Sequence, residues 1–204
     1  MASSSQPARN PAPKSGDPSG GTLLTAADVA RVVDRMAHQL IERAASLDPG
    51  SADGGLSDLV LVGIPTRGAP LARRLAARVE AFTGTPVDVG TADITLYRDD
   101  LQSIGPRPVV GETSLPDLDG KTVVIVDDVL YTGRTVRAAL DECADFGRPR
   151  RILLCVLIDR GGRELPIQAD IVGTALTAGA GDRVDVLVSE LDGRDGVELV
   201  RGTA

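Results

Sequence analysis

Two adjacent carboxylates, Asp127 and Asp128, close an apolar run and open a polar loop, Tyr131-Thr132-Gly133-Arg134-Thr135. The residues before them, Val123-Val124-Ile125-Val126, have no polar interruption and read as a parallel strand covered on both faces, which places the acids at its carboxyl end. In open α/β sheets ligands bind at that edge. The loop supplies hydroxyls, a guanidinium and a glycine able to turn its amide toward an anion, which is phosphate chemistry at the start of a helix. Like charges repel, so the acids must meet another part of the same ligand, and vicinal sugar hydroxyls fit. Asp127 and Asp128 on a ribose diol, with the loop amides, Thr132, Arg134 and Thr135 on a 5′-phosphate, describe a ribose 5-phosphate site. The bland alternative is an ordinary strand-loop-helix turn whose acids cap the helix.

The elements around this stretch repeat its geometry. Leu59 to Ile64 reads as a second buried strand, followed by Pro65-Thr66-Arg67-Gly68 and a helix from about Ala69 to Phe82. If the two strands are parallel neighbours, both loops open on one edge, and Arg67 meets a second anionic group there. Taken alone, Arg67 also suits a surface position at a helix start. Ile152 to Ile158 is a further buried strand ending in Asp159-Arg160, with a loop from Gly161 to Pro166. Thr25 followed by Asp28 marks a helix start, and Val29, Val32, Met36, Leu40 and Ile41 carry its helical spacing to about Ser46. A helix over Thr135 to Phe146 and shorter strands at Val87–Thr91, Ile94–Tyr97, Asp170–Gly173, Val184–Val188 and Val197–Val200 complete the set. The class is α/β, with a mostly parallel central sheet flanked by helices. Leu101 to Gly120 is punctuated by Gly and Pro and offers no element of its own, so the stretch at about 99–120 is expected to be a flexible lid loop. Arg98 at its root and Arg107 within it are candidates for closing on a polyanionic leaving group, although Arg107 equally suits a solvated loop.

Composition bounds the rest. At 204 residues the chain holds one such domain, expected over 22–204, behind a Ser/Pro/Ala/Gly-rich tail over 1–21 that is expected to be disordered. The formal net charge of -7 disfavours broad nonspecific binding to nucleic acid, while leaving room for a local basic face. Phe82, Tyr97, Tyr131 and Phe146 are the whole aromatic supply, too few for a platform stacking several unpaired bases. Cys143 and Cys155 read as small core residues in a reducing cytosol, and the expected location is the cytoplasm, with no secretory signal and no membrane span. His38 is the only histidine and reads as a partly exposed helix residue.

The run from Val123 to Thr135 resembles the phosphoribosyl-pyrophosphate motif of type I phosphoribosyltransferases. GIPTRG at Gly63, DITLYRDDL at Asp93, VDDVLYTGRTVRAALD at Val126 and DRGGRELPIQAD at Asp159 together resemble one family, the bifunctional pyrimidine operon attenuation regulators with uracil phosphoribosyltransferase activity. That resemblance implies the type I phosphoribosyltransferase fold with a small base-binding hood. It also implies conversion of uracil and 5-phosphoribosyl pyrophosphate to UMP and pyrophosphate, and UMP-sensitive binding to a leader-RNA stem-loop by dimers or higher oligomers. On these positions Asp127, Asp128, Arg67 and Arg98 carry the catalysis. Thr66, Arg67, Arg107, Asp127, Asp128, Val129, Leu130, Tyr131, Thr132, Gly133, Arg134, Thr135, Arg160 and Val184 touch the substrates. Mg²⁺ is expected through substrate oxygens and waters, with no direct side-chain ligation. No general base is visible, and positioning with electrostatics is expected to suffice. A cis peptide at Thr66–Arg67 is a further implication. Arg35, His38, Thr66 and Arg163 match the family's RNA face, but Asp34, Gly162, Gln168 and Thr174 depart from its usual threonine, histidine, arginine and lysine. Lost phosphate contacts lower affinity, so catalysis is expected intact and RNA binding weakened, altered in target or absent.

Overall fold

Strands covered on both faces can carry unbroken Val, Ile and Leu, and the apolar runs of this chain form such a sheet. The computed structural model describes residues 20–97, 113–179 and 181–202. In chain order the elements are β1 (Gly21–Leu24), α1 (Ala26–Leu47), β2 (Leu59–Gly63), α2 (Gly68–Thr83), β3 (Asp88–Thr91), β4 (Thr122–Leu130), α3 (Arg134–Phe146), β5 (Arg151–Asp159), β6 (Ile171–Ala175), β7 (Arg183–Leu187), the short α4 (Ser189–Asp192) and β8 (Gly196–Val200). The central sheet has the order β3-β2-β4-β5-β6, and each neighbouring pair is parallel. A second sheet, β1-β8-β7, is antiparallel and forms the hood.

β4 serves both cores. Val124 and Val126 point to the face covered by α1 and α2, among Met36, Leu40, Leu71 and Leu75. Val123 and Ile125 point to the other, beneath Val136, Ala139 and Cys143 of α3. α1 starts at the expected place because Thr25 and Asp28 form a reciprocal box: the Thr25 amide donates to Asp28 Oδ2 at 3.0 Å and the Asp28 amide donates to Thr25 Oγ1 at 3.3 Å. Among the described residues no helix is long and apolar enough to cross a membrane.

Several boundaries differ from the sequence expectation, each for a local reason. Ile94–Tyr97 is a 3-10 turn instead of a strand, since the Asp93 carboxylate takes the Thr95 amide at 2.9 Å and satisfies that donor locally. β4 does not stop at Val126, because β5 continues beside it and pairs Leu130 with Asp159. Gly21–Leu24 is an edge strand on β8 where the tail was expected to end, and residues 1–19 of that tail lie outside the described residues. The Val184 strand belongs to the hood. Of the expected lid, 98–112 lies outside the described residues, and with it Arg98 and Arg107. Residues 113–120 are fixed to the sheet: Ser114 exchanges backbone hydrogen bonds of 2.8 and 2.9 Å with Thr91, and Leu118 is fully buried.

Leu61, fully buried in the middle of β2, reports on this packing. Leu61→Ala should destabilise by about 2–5 kcal/mol through lost transfer energy and a residual cavity. Chemical denaturation should show a lower midpoint at unchanged slope.

Candidate functional site

Parallel pairing of β2, β4 and β5 sets their carboxyl ends side by side, so the loops after them share one rim. The first loop is drawn tightly against β4. The Ile64 amide donates to Val126 O at 2.9 Å, and a Cβ on Gly68 would lie 2.4 Å from that same oxygen, so only glycine can open α2 there. The cis peptide in this loop is Pro65–Thr66, one bond before the Thr66–Arg67 bond that the resemblance implied.

Asp127 and Asp128 lie where β2 has ended and β4 continues, so one side of the acid pair has no strand beside it. Asp127 is 6% exposed and Asp128 half-buried. The Asp128 amide donates to Asp127 Oδ1 at 3.0 Å, and the Val129 amide donates to Asp128 Oδ1 at 2.9 Å. Among the described residues neither carboxyl is held in an ion pair. Burial pushes the Asp127 carboxyl well above the ordinary range, and the negative charge of Asp128 adds to this. Burial also raises Asp128, against the opposing hydrogen bonds from Asp127 and the Val129 amide and the positive charge of Arg67. Two acids in this setting titrate as a pair. The empty pair holds a proton more readily than two solvated aspartates would, and a ligand offering two hydroxyl donors favours its release.

The loop after β4 is shaped by the segment after β5. Thr132 O accepts the Glu164 and Leu165 amides at 3.0 and 3.1 Å, and Thr132 Oγ1 accepts the Arg134 amide at 3.3 Å. Gly133 is buried in the left-handed region, φ 92°, and its carbonyl accepts the Arg137 amide at 2.9 Å, while Thr135 lies half-buried in the first turn of α3. Arg134 pairs with Glu164 at 2.7 Å on an exposed surface, where such a pair adds little. Arg160 is buried, its guanidinium carbon 3.8 Å over the Tyr131 ring, and it donates to Gly179 O at 3.2 Å. Its place joins the loop after β4 to the segment that precedes β7. The side chains of Leu130 and Val184 pack in the two cores, and Val129 leans on one of them, so these three candidates present backbone to the rim.

Three further residues shape the site without any warning in sequence spacing. Arg163 donates to Asp159 Oδ2 at 2.6 Å, Tyr131 O at 2.8 Å and Ile167 O at 2.9 Å, tying the phosphate loop to the end of β5. Asp192 of the hood accepts from Arg67 Nη2 at 2.9 Å. Arg74, two turns along α2 from Arg67, donates to Glu190 at 2.8 Å and to Asp195 at 2.7 Å.

The four residues matched to the RNA face are spread differently. Arg35 and His38 are exposed on α1, where the His38 ring stacks on Phe82 at 4.2 Å and Arg35 also donates to Gly173 O. Thr66 is exposed at the rim. Arg163 is half-buried and spends its hydrogen bonds on the loop. Asp34, the acid expected to repel phosphate, is paired with Arg78, whose Nη2 lies 2.7 Å from Asp34 Oδ2, so its charge is offset within the surface. At Gly162, φ 76°, a Cβ would lie 2.4 Å from Tyr131 Cε2.

A family model described as a phosphoribosyl transferase domain matches residues 19–187. The chain is 55% identical over 183 residues to the bifunctional protein PyrR of Chloroflexus aurantiacus, an alignment covering 89% of this chain and 96% of that protein. It is 54% identical to the bifunctional protein PyrR of Thermus thermophilus, over 87% of this chain and 93% of that one. Among solved structures, the hypoxanthine phosphoribosyltransferase of Trypanosoma cruzi superposes with a TM-score of 0.65 at 17% identity, covering 89% of this chain and 97% of that chain. The hypoxanthine phosphoribosyltransferase of Staphylococcus aureus gives 0.62 at 21%, over 88% and 91%. At these identities the structures share the fold.

The raised carboxyl of Asp127 makes a signed prediction. In the empty protein its contribution to stability is full below the ordinary carboxyl range and is lost as pH rises through the raised native value. Asp127→Asn, which keeps an acceptor for the Asp128 amide, should therefore raise the melting temperature at neutral pH and flatten its fall with pH. Thermal unfolding across pH 4 to 8 checks this; a variant less stable than the parent throughout would contradict it.

Proposed function

The chain belongs to the phosphoribosyl transferase domain family and, within it, to the bifunctional PyrR proteins, and from that premise we propose that it forms UMP from uracil and 5-phosphoribosyl pyrophosphate and regulates pyrimidine genes through a UMP-responsive RNA contact. One observation carries the catalytic half: a buried and a half-buried carboxyl, without an ion pair among the described residues, beside a phosphate-type loop at a sheet rim. Their raised affinity for protons suits acceptors that wait for hydroxyl donors, and a ribose diol supplies two.

In this reading Asp127 and Asp128 hold the ribose diol, while Thr132, Thr135, Arg134 and the amides around Gly133 hold the 5′-phosphate. Thr66 and Arg67 face the pyrophosphate. Backbone groups near Val129, Leu130 and Val184, with Arg160 resting on Tyr131, shape the base side. A uracil ring nitrogen bonds to the anomeric carbon as the bond from that carbon to the pyrophosphate oxygen breaks, the nitrogen's proton leaving with the pyrophosphate or to water, with the sugar passing through a cation-like state. The chain's work is to hold the sugar in line, to offer Arg67 to the charge that develops on the departing group and to keep water from the reactive carbon. Phosphoribosyl transferases generally use Mg²⁺ with this substrate. Two adjacent carboxylates without a third acid beside them among the described residues suit an ion that takes most of its ligands from pyrophosphate and water. When bound, it adds positive charge to the leaving group.

The regulatory half rests on family membership at more than half identity, which favours a retained RNA function over its loss. The ion pair of Asp34 with Arg78 removes one reason for expecting that loss. Arg35 and His38 on α1 are the proposed contacts; the protein acts in the cytoplasm as a dimer or larger homo-oligomer.

Assay of pyrophosphate release with uracil, orotate, hypoxanthine and guanine should show uracil used best by a wide margin. Asp128→Asn and Arg67→Ala should each lose about 10²-fold or more of kcat/KM. Full activity in both variants, or a preferred purine, would overturn the assignment. For RNA, gel shifts with a pyrimidine-gene leader should tighten with UMP and weaken steeply with salt; no preference over unrelated RNA would reject the regulatory half.

A further inference from the structure

Arg67 is the proposed partner of the pyrophosphate, yet the residue that fixes it belongs to the hood. Its Nη2 donates to Asp192 Oδ1 at 2.9 Å. The other carboxylate oxygen of Asp192 accepts the Val188 amide at 2.9 Å, directly after β7, the strand that carries Val184. The backbone of Asp192 is anchored too, its amide donating to Val188 O at 2.8 Å. The carboxylate is thus a fixed point. Val188's amide and Arg67 both hold it below the usual carboxylate range, so it stays charged.

The pair is secluded enough to matter. Side-chain exposure is 34% for Arg67 and 21% for Asp192, and Arg67 Nε is buried without a hydrogen-bond partner among the described residues. A guanidinium tethered through one nitrogen to a fixed carboxylate samples fewer orientations, which lowers the cost of presenting its remaining N–H groups to a phosphate. Its positive charge also acts on Asp128. Asp192 therefore links three parts of the site: the strand proposed for the base, the arginine proposed for pyrophosphate, and the acids proposed for the sugar. Arg74 holds the same hood segment to α2 through Ser189, Glu190 and Asp195 without touching Arg67.

We propose that Asp192 is a positioning residue for phosphoribosyl pyrophosphate: it orients Arg67 toward the pyrophosphate group and couples the hood to that end of the site. This rests on the catalytic reading above. Asn at 192 still accepts the Val188 amide, so the turn survives while the charge that aims Arg67 is lost. In the full-length chain Asp192→Asn should raise KM for phosphoribosyl pyrophosphate and lower kcat, about tenfold together in kcat/KM, with the affinity for UMP, which lacks the pyrophosphate, within about twofold. Asp192→Glu should recover part of the loss. In an Arg67→Ala background, read as kcat/KM at subsaturating substrate, Asp192→Asn should add nothing, because the interaction it removes is already gone. Arg74→Gln, which loosens the same segment, should lower thermal stability without the KM shift.

An Asp192→Asn protein within twofold of the parent on every parameter would overturn the proposal. So would a loss that persists in full without Arg67, or one that Arg74→Gln reproduces, since either makes Asp192 a fold-keeping residue only. Calorimetric affinity of parent and variant for phosphoribosyl pyrophosphate separates this from the catalytic reading. A parent that binds the compound but transfers its sugar to no base would sink that reading and leave the affinity difference to decide the role of Asp192.

Discussion

Placing two carboxyls next to each other, one buried and one half-buried, is the constraint around which the rest of this protein is arranged. Asp127 and Asp128 can occupy such a place only because the backbone amides of residues 128 and 129 partly satisfy them and the charge of Arg67 stands nearby. That arrangement needs β2 to stop while β4 goes on, and it needs a glycine where α2 begins against Val126 O. The pair is the kind of feature that natural proteins keep at the expense of stability when function depends on it.

The parallel sheet, the helices and the acid-loop unit were legible because each depends on local pattern. Unbroken β-branched runs mean doubly covered strands and Thr25 with Asp28 means a capped helix, whereas the expected strand end at the two acids lies further on, at Leu130, with Asp127 buried inside β4. What escaped was long range. The acidic partners of Arg67 and Arg74 lie more than a hundred residues away, and an arginine's charge does not say which of many acids it will meet. The 3-10 turn at Ile94–Tyr97 was misjudged because its apolar residues suit a strand, while the deciding hydrogen bond comes from the Asp93 side chain. Asp34 shows the opposite error: an acid read alone as repulsive is neutralised by an arginine from the next helix.

The hood and the sheet share one apolar core, to which Val184, Val186, Val188, Val197 and Leu199 contribute, and charged links are added at its edge. Arg67 and Arg74 reach from one helix to acids on a single short segment, and Arg160 reaches from the end of β5 to Gly179 O. Such links fix the register of the two parts beyond what their shared apolar core specifies, and they place arginines where anionic ligands can compete for them. The solved phosphoribosyltransferases that share the fold at 17–21% identity show how far sequence can drift while the layers persist.

Tyr131, flanked by Arg160 on one side and by the bare backbone of Gly162 on the other, ties the two proposed activities together in an unexpected way. Restoring the histidine usual in the family at position 162 is not an isolated surface change here. Any side chain at that point must displace the aromatic ring, and the ring cannot move without unsettling the arginine that rests on it. Position 162 and the Arg160–Tyr131 stack therefore cannot vary independently, and a substitution at this exposed turn reaches a buried arginine.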